Sequence, residues 1–133
     1  MKDLTNDDFR AWPNFTRDEM VCKCGCNRCC MDPDFMDTLQ SIRHEFGGSL
    51  TVSSGYRCAE HNEAVSDSGK TGAHTQGKAA DLLIRGADAV RLLSIGLRHG
   101  ITGVGVSQKG ANRFLHLDTC SPPDMPRPSI WSY

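Results

Sequence analysis

Apolar positions along the chain follow two periods. Phe35, Met36, Leu39, Ile42 and Phe46 recur at steps of three and four, which draws one apolar stripe along a helix. Asp32-Pro33-Asp34 starts that helix with an N-cap carboxylate, a proline at the first helical position and a further acid in the first turn, and Gly47-Gly48 stops it. Ala89, Val90, Leu92, Leu93, Ile95, Gly96 and Leu97 predict a second amphipathic helix over 87–99, ended by Gly100. Shorter apolar runs predict strands at Leu50–Ser54, Ala79–Ile84, Ile101–Val106 and Phe114–Thr119, with Lys109–Asn112 as a hairpin-like loop between the last two. Ala59–Val65 reads as a short helix and Ser66–Gly72 as a loop. Residues 1–20, with Phe9, Trp12 and Phe15, read as an arm packed on the body, in which Thr16 and Glu19 can cap one short turn. Residues 121–133 form an extended, proline-rich tail ending in Ile130-Trp131-Ser132-Tyr133, apolar enough to dock back. Helices and strands do not alternate regularly. The expected architecture is therefore α+β: one domain over 1–133, a mainly antiparallel sheet and flanking helices.

Composition narrows the function. A chain of 133 residues suits a single core, and a net charge of −1 gives no electrostatic case for nucleic acid. No run approaches the ~18 apolar residues of a membrane-spanning helix, so no membrane insertion is expected. The first eight residues are polar and acidic where a signal peptide would be apolar. Seven cysteines are present, five of them (Cys22, Cys24, Cys26, Cys29 and Cys30) within nine residues. An odd number cannot pair completely within the chain. Three readings of this 22–30 cluster, together with Cys58, stay open: a second, structural metal site, disulfides, or free thiols.

Charged residues inside apolar strands carry the chemical signal. Asp81 sits in Ala-Ala-Asp-Leu-Leu-Ile, and a buried carboxylate without a partner is costly. His74 precedes it on a glycine turn that Gly77 eases. His116 and Asp118, two apart in Phe114–Thr119, share one face of a strand. His74, Asp81 and His116 can thus supply the three protein ligands of a catalytic zinc. Asp118 can then serve as general base toward a nucleophilic water, or hold the far nitrogen of a ligand histidine. Ser53-Ser54-Gly55-Tyr56-Arg57 delivers an arginine at a strand end, suited to a carboxylate or a developing oxyanion. Ser53 and Tyr56 are candidates for orienting substrate, and His61-Asn62 follow closely enough to line the same cleft. His44 and His99 are expected at the surface.

Ser54-Gly55-Tyr56-Arg57, then His74-x6-Asp81, then His116-x-Asp118, in that order, resembles the zinc D-alanyl-D-alanine carboxypeptidase family. That family extends to D,D-dipeptidases, phage endopeptidases and the hedgehog signalling domain. The Cys-x-Cys-Gly-Cys start, Gly-Tyr-Arg-Cys-x-x-His-Asn and the Trp-Ser-Tyr end resemble its small bacteriophage subgroup. The resemblance covers residues 13–133. It implies an α+β fold with Zn2+ at the sheet on His74, Asp81 and His116, and Arg57 on the carbonyl or tetrahedral intermediate. It further implies hydrolysis of peptide bonds in peptidoglycan stems or cross-links. The chain is expected to act as a monomer. A chain of this kind is expected to be made in a bacterial host cytoplasm and to meet the wall after release, as a lysin, or as a virion component. One position departs from the pattern. Many members carry an acid three residues before the last histidine ligand; here Arg113 stands there and cannot be a base, which leaves Asp118 as the expected base. A non-catalytic, zinc-stabilised wall-binding module is the competing expectation.

Overall fold

The computed structural model describes residues 1–133. After a short 3-10 turn at Asp8–Ala11, the elements run α1 (Arg17–Met20), α2 (Pro33–Phe46), β1 (Thr51–Ser54), α3 (Ala59–Val65), β2 (Ala79–Leu83), α4 (Gly86–Arg98), β3 (Gly103–Ser107), β4 (Phe114–Asp118) and β5 (Ser129–Ser132). The helix signals act as expected. Thr16 and Glu19 form the capping box of α1, and Asp32 caps α2 by accepting from the Phe35 amide at 3.3 Å. Gly47 ends α2 in the left-handed region at φ 76°.

The five strands form one sheet in the order β1-β2-β4-β3-β5. All pairings are antiparallel except β3 with β5, which is parallel. The tail thus docks as a fifth strand, a pairing that its prolines and sparse apolar residues do not announce.

The sheet has two unlike faces because side chains alternate along a strand. Ala80, Leu82, Val104, Leu115 and Leu117 point to one face and join the core with Leu39 and Ile42 of α2 and Leu92 and Ile95 of α4. The arm belongs to the same core: Leu4, Phe9, Trp12, Phe15 and Met20 are all buried. Val90 and Leu97, expected on the apolar stripe of α4, are instead exposed, and Ala89, Leu92, Ile95 and Gly96 do the packing. The other face carries the polar residues. Pairing across it sets Ser54, Asp81, His116, Gly105 and Trp131 in one transverse row. The next row along holds Ala79, Asp118, Gly103 and Ser129.

Candidate metal centre

The transverse row places Asp81 beside His116, and the turn before β2 brings His74 over both. Gly77 makes that turn possible. Its φ is +70°, and a Cβ there would collide with the Cys30 carbonyl. His74 Nε2 lies 3.3 Å from Asp81 Oδ1, and His116 Nδ1 lies 3.1 Å from the same oxygen. The three donor atoms all fall within 4.8 Å of one another. Ligand atoms around a tetrahedral zinc stand about 3.3 Å apart at ordinary Zn–N and Zn–O lengths, so this set fits the ion.

The opposite ring nitrogens are also fixed. His74 Nδ1 donates to the Gly55 carbonyl at 2.7 Å. His116 Nε2 lies 2.7 Å from Asp118 Oδ2, which accepts its proton. Gly55 and Asp118 are thus placed to hold the far-side hydrogens of the two imidazoles, as second partners of metal-bound histidines do, which would leave His74 Nε2 and His116 Nδ1 for an ion. Burial would raise the Asp81 pKa, but hydrogen bonds from His116 and His74 hold it well below the usual carboxylate range. For His116, burial pushes the pKa down while the bonds to Asp118 and Asp81 outweigh it and raise it.

Arg57 is held at each of its nitrogens. Nε donates to Ser54 Oγ at 3.1 Å, Nη1 to Asn62 Oδ1 at 3.2 Å and Nη2 to Asp81 Oδ2 at 3.5 Å. Five N–H groups against three acceptors leave two without a protein acceptor, and Arg57 lines the cleft over this face. Asn62, fully buried, also donates to Ser68 Oγ and the Gly69 carbonyl, so it ties Arg57 to the loop after α3.

A cleft of about 710 Å3 opens over this face, lined by His74, Asp81, His116 and Arg57 together with Trp131 and Tyr133 from the tail. The Trp131 ring packs on His116 with centroids 5.1 Å apart. Gly105 leaves the room: a Cβ there would lie 2.7 Å from both Trp131 Nε1 and the Tyr133 hydroxyl. Tyr133 is exposed overall, yet its hydroxyl turns inward, and burial raises its pKa.

Several expected residues occupy other places. Asp118 does not face the cleft. It is fully buried behind His116, bonded through Oδ1 and Oδ2 to Arg127 at 3.0 and 2.8 Å, and it accepts from the Cys120 amide at 3.2 Å. Burial would raise its pKa, but His116 and Arg127 hold it well below the carboxylate range. Such a carboxylate orients a histidine; it is not placed to take a proton from a water in the cleft, and the base role expected of it does not fit this geometry. Tyr56 is buried in the core, 5.9 Å under the Arg28 guanidinium, rather than on the cleft. Ser53 reaches only the Asp81 carbonyl, at 3.4 Å, and its neighbour Ser54 is the residue that holds Arg57. His61 lies on α3 outside the cleft lining, and Asn62 acts through Arg57. Arg113 donates to the Gly110 carbonyl and points away from the cleft, along Leu83 and Ile84. Asp67, on the loop after α3, and Arg127, Trp131 and Tyr133, on the tail, are among the lining residues that sequence reasoning missed. The one available signal for Arg127 was the buried charge of Asp118, which demands a counter-ion.

Residues 13–118 match a family model described as peptidase M15. The chain belongs to the peptidase M15 family. No curated protein matches the sequence. The match extends from Pro13, in the arm, to Asp118 at the end of β4. The motif resemblance to zinc D-alanyl-D-alanine carboxypeptidases is thereby borne out at the level of the family, whose members are zinc metallopeptidases. The cleft-lining tail of this M15 chain lies beyond the matched residues.

Proposed function

We propose that this protein is a zinc-dependent peptidase hydrolysing peptide bonds of bacterial peptidoglycan stems or cross-links, of the D,D-carboxypeptidase or endopeptidase type, encoded by a phage. The observation that carries this reading is the convergence of His74 Nε2 and His116 Nδ1 on one oxygen of Asp81 inside an open cleft, with Arg57 on the other oxygen. Zinc bound by His74, Asp81 and His116 supplies a Lewis acid and lowers the pKa of water toward ~7, which makes a nucleophile available at neutral pH.

The chain's own residues supply the rest. Arg57, pinned by Ser54 and Asn62, offers its two free N–H groups to the scissile carbonyl oxygen as negative charge develops there. Because these donors are fixed beforehand, no reorganisation is needed during the reaction. Gly55 and Asp118 keep the two imidazoles in the right tautomer, and Arg127 keeps Asp118 ionised. Trp131 covers one flank of His116 and excludes water from that side. Proton transfer falls to Asp67, the carboxylate that lines the cleft outside the ligand set.

A second reading, wall binding without cleavage, draws on the two positions where a base was expected: Arg113 points away, and Asp118 is locked behind His116. Digestion decides between them. Zinc-loaded protein incubated with purified muropeptides is expected to yield products with one new amine and one new carboxylate by mass spectrometry, and a chelator should stop it. Asp67→Asn should lower kcat with zinc still bound. Muropeptides that bind but stay intact would establish the second reading.

A further inference from the structure

A second group of soft ligands lies apart from the His74–Asp81–His116 centre. Cys22, Cys24 and Cys26 come from the loop after α1, and Cys58 from the N-cap of α3. Cys22 Sγ stands 3.5 Å from Cys24 Sγ and 3.7 Å from Cys58 Sγ, and the latter two are 3.6 Å apart. Cys26 Sγ completes a set whose four atoms lie within 4.8 Å of one another. A disulfide needs two sulfurs at about 2.05 Å and leaves other thiols out. Three nearly equal edges with a fourth sulfur close by form the frame of a tetrahedron. At a Zn–S length of ~2.3 Å the edges of such a tetrahedron measure about 3.8 Å.

The loop is shaped to gather these sulfurs. Gly25 sits at φ +93°, where an L side chain would be strained, and Asn27 at φ +59°. The strained Asn27 is clamped by Arg17, whose Nη1 and Nη2 donate to its Oδ1 and carbonyl at 3.1 and 2.7 Å. The Cys22 amide donates to the Arg28 carbonyl at 2.9 Å and closes the loop. The Cys58 amide donates to Cys22 Sγ at 3.3 Å, a bond that favours thiolate. Cys29 and Cys30 turn into the apolar core instead and take no part. We propose that Cys22, Cys24, Cys26 and Cys58 hold a structural zinc ion that fastens this loop to the start of α3. Four protein thiolates leave no open position, so the ion has no catalytic role. Its effect on the cleft is mechanical, because Cys58 follows Arg57 directly.

The test uses the full chain, zinc-replete and native. Cys24 and Cys26 are exposed, so as free thiols they would alkylate quickly. Under the proposal, mapping after N-ethylmaleimide treatment finds both protected at least about tenfold, and a strong chelator abolishes the protection. A parallel measurement loads Co2+ into His116→Ala. A thiolate-to-metal charge-transfer band is expected there, and it should vanish when Cys24→Ser and Cys26→Ser are added. Rapid alkylation of Cys24 and Cys26 in the zinc-replete chain would overturn the proposal. So would a disulfide among the four cysteines. Neither readout needs hydrolysis or the His116 ligand, so failure here leaves the peptidase reading intact, and failure of hydrolysis leaves this site intact.

Discussion

The His74, Asp81 and His116 cluster stands on paired strands of the sheet, whereas Cys22, Cys24, Cys26 and Cys58 are collected from a loop and a helix cap. The first cluster inherits its geometry from strand register: Asp81 opposes His116 directly. Its polar atoms are partnered on the far side by Gly55, Asp118 and Arg57 before any ion arrives. The second has little rigid support except a strained turn clamped by Arg17. An ion at the sheet therefore adds chemistry to a frame that already stands, while an ion at the cysteines supplies the frame. Mutations in the first cluster should change turnover more than stability, and mutations in the second should do the reverse.

His116→Ala tests the first half most severely. Turnover should drop to background while the melting temperature of the protein stays within a few degrees, as read by hydrolysis and calorimetry side by side. Arg57→Lys comes next. It keeps the charge but loses the planar fork held by Ser54 and Asn62, so kcat should fall by about 10²–10³ with zinc content unchanged. Asp118→Asn sharpens the distinction between an orienting carboxylate and a base. Zinc affinity should weaken by roughly 10–100-fold, with most of the turnover recovered at saturating zinc. A loss of turnover at saturating zinc would restore Asp118 as the base. Replacing Cys24 and Cys26 together by serine should act on the other axis, costing about 3 kcal/mol, or roughly 10 °C in Tm, with kcat reduced only a few-fold at low temperature.

The smallest effect concerns pH. Asp118 has a folded pKa below its unfolded value, because hydrogen bonds from His116 and Arg127 outweigh burial. Its contribution to stability is thus fully present above about pH 4 and is lost as pH falls through the folded value. Urea midpoints of chelated protein should fall between pH 5 and pH 2.5, and fall less steeply in Arg127→Gln.

The sheet and its ligands were readable in the chain because the signals are local. Asp81 in an apolar strand, His116 two before Asp118, and Asp32-Pro33 before a helical stripe each report on their own neighbourhood. The role of Asp118 was not. Strand period places Asp118 on the face of His116, but its direction is set by distant residues. Gly103, on β3, leaves space that a Cβ would fill, and Arg127, on the tail, supplies the counter-charge. Ser53 stands off the cleft lining for a related reason. The register between β1 and β2 shifts between Val52 and Ser54, so Ser54 rather than Ser53 pairs with Asp81. The tail strand was hidden because Arg127, between two prolines, and Trp131 follow no period, and β5 is recognisable only through its partner β3.

Zinc bound per chain, in wild type against His116→Ala, is the most direct test of the two-centre account. Wild type should carry two zinc ions and the variant one, with hydrolysis lost alongside the missing ion. Equal zinc in the two proteins would contradict it, since His116 would then hold no metal and the convergence on Asp81 would be an ordinary buried hydrogen-bond network.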